Sequence, residues 1–524
     1  MRGMHVGIVV LAAFCGVWGF LLWVQEPSSA APGGAGFTDV TAESGVADIV
    51  KKHYENVPKW WLSGMTLVDL DGDGDLDLHI AGHGFPAGAG MNDGKGHFTY
   101  VDPKLSIPRG VGQDQDIPYP GGEIRIVYDF NEDGKVDLMA AYGDGAAALY
   151  FNDCKPGDPP VWNFKRNRAF DFFSRAMAMA DLNRDGQVDY LDDTGRDTRI
   201  RICLGKRDGT FERQQLIPGG LKESGAIPVD IDGDGDLDLL VTQRGYNTPM
   251  RKMLSNDGKM NFTDVTAQAG LDPNGGSIHG AGDLDQDGDL DLLCVEGNEI
   301  VIYLNDGKGH FTRKPDAISG LTARPAAATW GGAIVTDFDN DGIADFLVGG
   351  KHFRLLFRGV GGGRFVEANS LWSVPSASTI MEELCFGDID NDGDLDLVSA
   401  GPPPAGRERG VMVLRNDLPK KHWVRVRPVG LKGNRSAGGS KIRIYEPGGM
   451  ANPKKLIWFE QVAIWGRESF HSYYTAAQTE RHFGLGDRTG VDVSVEFYPS
   501  GKKVEKKNVR ADTVVEIRED GTGN

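Results

Sequence analysis

The sequence predicts an all-β chain, a seven-bladed β-propeller followed by a small C-terminal β-domain. Three observations predict it. A nine-residue pattern, D-x-[DN]-x-D-G-x-x-D, recurs seven times, starting at Asp69, Asp129, Asp181, Asp230, Asp283, Asp337 and Asp388. Its spacings of 60, 52, 49, 53, 54 and 51 residues match one four-stranded propeller blade. Finally, the charge balance reverses near the C-terminal fifth: residues 420–524 hold 19 Lys+Arg against 12 Asp+Glu, a net of +7, while the remainder holds 37 against 63, a net of -26. Such a shift marks a domain boundary.

The elements follow in order. Residues 1–26 read as a signal peptide or N-terminal membrane anchor. Arg2 and His5 precede an uncharged, largely apolar run of 19 residues, Val6 to Val24, between a long signal core and a short membrane span. Residues 27–36 read as a linker. Residues 37–417 hold the seven repeats. Each loop follows a strand-like stretch such as Ile124–Tyr128 and runs into another, such as Leu290–Val295. A third stretch (Ile300–Leu304) leads through Asn305-Asp306-Gly307 to a short fourth stretch at Phe311. Asn-Asp-Gly between hydrophobic runs is hairpin chemistry, because Asn and Gly tolerate positive φ. The seventh repeat lacks its own fourth stretch, whereas Phe37–Thr41 matches the fourth-stretch segment Phe262–Thr266. Pairing of Phe37–Thr41 with Val411–Leu414 is therefore expected to supply it. Residues 418–520 form the C-terminal β-domain.

The loops carry the chemistry. Positions 1, 3, 5 and 9 offer carboxylate or amide oxygens, position 6 is Gly, and position 7 can offer its backbone carbonyl. The expected metal ligands are Asp69, Asp71, Asp73, Asp75 and Asp77; Asp129, Asn131, Asp133, Lys135 and Asp137; Asp181, Asn183, Asp185, Gln187 and Asp189; Asp230, Asp232, Asp234, Asp236 and Asp238; Asp283, Asp285, Asp287, Asp289 and Asp291; Asp337, Asp339, Asp341, Ile343 and Asp345; and Asp388, Asp390, Asp392, Asp394 and Asp396. Hard oxygen donors around one point suit Ca²⁺, with up to seven ions. An EF-hand would need Glu at position 12, where the chain has Ile80, Ala140, Asp192, Val241, Cys294, Val348 and Ser399. Solvated Asp-Gly turns are the plainer alternative, but seven copies with the same four oxygen positions argue against it. Asn131 and Asn183 mark loops with one carboxylate fewer.

The net charge of -19 excludes nucleic acid as a general partner. It is largely ligand charge, since 26 Asp at positions 1, 3, 5 and 9 repel one another without cations. Loops lacking the twelfth ligand imply a calcium-rich, extracytoplasmic compartment.

At this point the repeats resemble the FG-GAP or VCBS repeats of integrin α-subunit propellers. His422-Trp423, Gly433-Asn434-Arg435, Arg481-His482-Phe483-Gly484-Leu485-Gly486 and Tyr498-Pro499-Ser500-Gly501 resemble an ASPIC/UnbV domain. The combination is similar to the family that includes cartilage acidic protein and its bacterial relatives. The resemblance implies an exported calcium-binding protein of adhesion or matrix type. It supplies no reaction.

Other motifs are weaker. His79 and His83 lie four apart but in strand and loop, not on a helix. His422, His471 and His482 would need the fold to gather them, and edge histidines are the plain reading. Trp60 and Trp61 suit packing between blades or a sugar platform. Lys165, Arg166 and Arg168, and Lys502, Lys503, Lys506 and Lys507, read as solvated basic stretches. Cys203 and Cys294 lie in strands and read as buried thiols; with Cys154 and Cys385 they show no disulfide spacing. No nucleophile elbow, Walker loop or HExxH appears. The expected function is a binding or adhesion module for a protein or glycan ligand, not an enzyme, touching membrane only through its N-terminal segment. The alternative is a calcium-stabilised carbohydrate-active enzyme with its site on the propeller face.

Overall fold

The computed structural model describes residues 36–522 apart from 57–61, 83–87, 103, 107–123, 142–147, 166–175, 194–197, 222–223, 244–249, 298, 322–329, 351–352, 373–382, 402–409 and 468–479. Val6–Val24, Trp60, Trp61, His83, Arg166, Arg168 and His471 lie outside the described residues.

Alternating apolar and polar residues bounded by Gly-rich turns build strands throughout. Seven antiparallel sheets form over residues 37–416, and two further sheets follow. The first sheet runs Leu62–Val68, Asp77–Gly82, Gly88–Asn92, Phe98–Val101, in chain order. Each aspartate loop links the first two strands of its sheet, and the second strand begins at position 9, as at Asp77 and Asp291. Parallel edge strands extend the second and sixth sheets: Lys104–Ser106 beside Val161–Lys165, and Ile318–Ser319 beside Phe365–Glu367. The outer strand of the seventh sheet comes from the N-terminal end. Phe37–Asp39 runs antiparallel to Gly410–Asn416, with Phe37 opposite Asn416 and Asp39 opposite Leu414.

Apolar side chains pack between neighbouring sheets, giving the chain a propeller-like organisation. Val68, Leu70 and Ala89 of the first meet Val127, Leu138 and Tyr150 of the second. Met65, Leu67 and Leu78 of the first meet Cys385, Val398 and Val413 of the seventh. An unforeseen helix, Val46–Asn56, caps this last contact through Val46, Ile49 and Val50. Gly90 has no side chain where the Ile49 methyl lies. All four described cysteines are buried.

The C-terminal sheets are three-stranded (Arg481–Gly486, His422–Val429, Thr513–Arg518) and four-stranded (Leu456–Gln461, Lys441–Tyr445, Gly490–Phe497, Lys502–Arg510). They do not stand apart from the repeats. Val424, Ile442 and Phe483 share one apolar cluster with Leu293, Ala333 and Phe346 of the fifth and sixth sheets. Ile464–Arg467 leaves the C-terminal sheets and pairs antiparallel with Ala176–Ala180, the edge strand of the third sheet. Nothing in the local sequence marks it as a strand of that sheet, because strand pairing at a distance leaves no periodicity of its own.

Candidate metal centres

Each loop is bent by the residues that the motif requires. Position 6 is a glycine with φ between 82 and 101° in all seven copies, and position 4, at φ 56–78°, is Gly72, Glu132, Arg184, Gly233, Gln286, Asn340 or Asn391. This left-handed pair turns the chain so that backbone N–H groups point inward. Gly72 and Gly74 donate to the two Asp69 carboxylate oxygens at 2.7 and 3.1 Å.

The turn gathers carboxylates. Oxygens lie within 4.8 Å of one another in Asp69–Asp71–Asp77, Asp230–Asp232–Asp234, Asp283–Asp285–Asp291, Asp337–Asp339–Asp345 and Asp388–Asp390–Asp396. These five clusters could each hold a metal ion. The second and third loops form no such carboxylate triple among the described residues: position 3, an Asp in the other five, is Asn131 or Asn183, whose amides donate to Asp133 (3.2 Å) and Asp185 (3.1 Å).

Two properties test the fit to a hard cation. Asp230 Oδ1, Asp285 Oδ1 and Asp390 Oδ1 are buried and accept no hydrogen bond among the described residues, an arrangement a metal would satisfy. Burial also pushes the carboxyls up. Asp71, Asp129, Asp181, Asp289 and Asp388 rise to about 6, mainly through desolvation, with neighbouring aspartates adding to it. Asp283, Asp337, Asp345 and Asp396 are driven well above the carboxylate range for the same reason. Carboxylates packed this way need a counter-charge or a proton. The donors are all oxygen, which fits Ca²⁺ or another hard ion.

Position 9 has a second role that the spacing alone does not reveal. Its buried carboxylate joins the loop to the third strand. Asp77 accepts from Leu70 N and Asn92 N, both at 2.9 Å. Asp137, Asp189, Asp238, Asp291, Asp345 and Asp396 repeat the bridge. Burial raises Asp77, Asp137, Asp189, Asp238 and Asp291 to about 8.

The Asn that closes the third strand, followed by Asp-Gly in the first, fourth and fifth sheets, also differs from expectation. The positive φ falls on Gly94, Gly258 and Gly307, and not on the Asn. The Asn is the last strand residue, and its amide ties one sheet to the sheet before it. Asn152 donates to Leu70 O (2.9 Å), Asn256 to Leu182 O (3.1 Å), Asn305 to Ile231 O (2.9 Å) and Asn416 to Phe338 O (2.7 Å). Asn92 of the first sheet donates to Ile389 O of the seventh loop at 2.8 Å. The signal was present in the sequence as an Asn 14 to 20 residues after position 9, five times over. At the third and sixth sheets Gly205 and Gly359 stand there instead.

Position 7 offers more than a carbonyl. Asn391 at position 4 of the seventh loop donates to Asp75 (2.8 Å), Arg184 to Asp236 (2.7 Å) and Asn340 to Asp394 (2.8 Å). Neighbouring loops are thereby linked through side chains. Lys135 reaches Asp153 at 3.6 Å and is no ligand by its side chain; Ile343 has only its backbone to give.

The C-terminal sheets sit on these loops. Glu132 accepts from Gly433 N (2.7 Å), Asp181 O accepts from Tyr498 OH (2.8 Å), and Asp230 pairs with Lys441 (2.6 Å). Gln286 donates to Ile457 O (3.1 Å), Asn340 bonds His482 (2.6 Å), and Asp388 pairs with Arg425. Loops two to seven are thus contacted. Among the described residues the remaining histidines form no cluster: His422 bonds Asp512 at 2.7 Å, and His79 packs edge-on to Trp162. His482 is held neutral, its pKa lowered to about 3 by burial and then by Arg425.

Repeated aspartate loops on successive β-sheets, covered by a C-terminal β-domain, define an FG-GAP-like repeat protein with an ASPIC and UnbV domain. The FG-GAP-like repeat model matches residues 129–191, 283–348 and 337–399, and the ASPIC and UnbV model matches residues 430–524. The chain is homologous to cartilage acidic protein 1. It is 22% identical to the Xenopus tropicalis protein over 514 residues, covering 87% of this chain and 73% of that one. The Mus musculus protein is 27% identical over 183 residues, 32% of this chain and 27% of its own length. Among solved structures, an Agrocybe aegerita lectin described as recognising non-reducing terminal N-acetylglucosamine overlays 58% of this chain and 78% of its own, at 19% identity and a TM-score of 0.41. The fold rests on the chain's own strand pairing.

Proposed function

We propose that this chain is an exported, calcium-binding β-propeller that acts as a binding or adhesion module rather than as an enzyme. The observation that carries it is the convergence of largely buried, oxygen-only donor sets on the loops. The ligand set is the one that the repeats spell out, from Asp69–Asp77 to Asp388–Asp396, with up to seven Ca²⁺ ions. Bound ions supply the counter-charge that the buried carboxylates lack. The seven sheets form one closed ring, in which Phe37–Asp39 completes the seventh blade; the Asn92 bond to Ile389 O supports that closure. Location outside the cytoplasm follows from the calcium demand and from the apolar run Val6–Val24. Among the described residues no helix is long and apolar enough to cross a membrane.

The test is thermal unfolding with calcium and with excess chelator. An ion present at 100 times its dissociation constant adds about 2.7 kcal/mol, so several loops together give a large drop in Tm on chelation, reversed by added calcium. An unchanged Tm refutes the calcium reading.

A further inference from the structure

The C-terminal domain contacts six loops and lifts away from the first. No hydrogen bond or ion pair joins Asp69–Asp77 to it among the described residues. Between them lies a cleft of about 430 Å³, walled by Asp69, Asp129 and Asp388 on the loop side and by Arg425, Arg427, Arg435, Arg518, Glu480 and Glu516 on the other. That volume falls within the ~300–1,000 Å³ of ligand sites.

The lining is charged and only partly self-satisfied. Arg427 pairs with Glu480 and Arg518 with Glu516, yet their side chains remain 44% and 34% exposed. Arg435 is exposed, and its guanidinium has no partner among the described residues. Five basic groups, the four arginines and Lys135, line the cleft together with five acidic ones, the three aspartates and two glutamates. The three aspartates are the first ligands of loops one, two and seven. Each ion bound there shifts the local balance by +2, so the loaded cleft favours an anion. Guanidinium forks match carboxylate and sulfate geometry. Glu480 and Glu516 beside them can accept from hydroxyls. A cleft with donors and acceptors side by side suits a short hydroxyl-rich chain better than an extended peptide backbone, which seeks a sheet edge.

We propose that this interdomain cleft binds an anionic saccharide, through Arg427, Arg435 and Arg518, when the neighbouring loops hold calcium. The assignment deepens the binding-module reading and rests on the loops being calcium sites. Its test is calorimetric titration of the full calcium-loaded chain with trigalacturonate, a sulfated trisaccharide and neutral maltotriose. One or both anionic sugars bind and maltotriose does not; whichever binds identifies carboxylate or sulfate as the recognised group. Arg427→Gln with Arg435→Gln weakens binding at least tenfold, with Tm in calcium unchanged. Excess chelator weakens it to a similar degree. No binding of either anionic sugar, equal binding by the double variant, or preference for triglutamate over both sugars overturns the assignment. A separate calcium titration distinguishes the two readings. Calcium binding without sugar binding removes the cleft assignment alone, whereas arginine-dependent sugar binding without calcium binding removes the loop reading and the calcium requirement.

Discussion

The first and seventh loops carry the same five aspartates in the same register, Asp69–Asp77 and Asp388–Asp396, yet they sit in different fields. At the first loop the position-1 carboxylate meets only backbone N–H groups, and Asp69 opens onto the cleft. At the seventh, Arg425 reaches Asp388, and Lys420 reaches Asp392 and Asp394, both at 2.6 Å. The lesson is that a loop's ligand set does not define its metal-free state. The C-terminal domain neutralises the seventh loop from outside, whereas the first depends on protons or an ion.

The broadest way to break this comparison is to remove the scaffold under the seventh loop. Phe37 is 1% exposed against Phe338 and Trp372. Phe37→Ala should cost about 3–5 kcal/mol, and deletion of residues 37–41 more, as read by urea unfolding. Deleting residues 27–36 should cost little. Equal losses from the two deletions would show that the seventh sheet does not need its N-terminal strand.

Arg425→Gln sharpens the comparison. Stripping one partner from a buried pair costs about 3–5 kcal/mol, so a loss of this order is expected in chelator. The loss should shrink in calcium, where the ion takes over the neutralisation of Asp388. The same loss in both conditions would mean that arginine and metal do not share that carboxylate.

Protons provide a third probe. The position-9 carboxyls of loops one to five rise from 3.8 to about 8 in the folded metal-free chain. The folded state then holds more protons than the unfolded one, so metal-free stability should fall as pH rises from about 4 to about 8. Calcium needs the deprotonated ligands, so the gain from calcium should grow over the same window. Chelated protein that becomes more stable with rising pH there would contradict the burial of these groups.

The smallest effect belongs to Lys420→Met. Lys420 is 57% exposed, and an exposed pair contributes ~0–1 kcal/mol. Metal-free stability should barely move, while calcium affinity of the seventh loop rises through relief of repulsion. A fall in that affinity, measured against the first loop as internal control, would assign the lysine a supporting role instead.

Much of this was legible in one dimension. The repeat period, the ligand positions, the obligate Gly at position 6 and the match of Phe37–Thr41 to Phe262–Thr266 are local patterns, and sheet geometry translates them directly. The spacing shows Asp77 and its equivalents only as ligands and hides the bridge, because a carboxylate at position 9 suits either role and its buried N–H partners lie 7 and 15 residues away. The Asn turns show only hairpin chemistry in the sequence for a similar reason: the carbonyl that Asn92 meets is 297 residues distant.

By itself, the sequence determined the number and spacing of aspartate loops, their oxygen-only chemistry and the change of charge at the C-terminal part, because each depends on residue type and short-range spacing. Only the tertiary structure decided which loops are covered, that Ile464–Arg467 joins the third sheet, and that four arginines line the cleft beside the first loop. These are contacts between segments hundreds of residues apart, set by how one β-domain packs on another, and packing at that distance leaves no periodic trace in the chain.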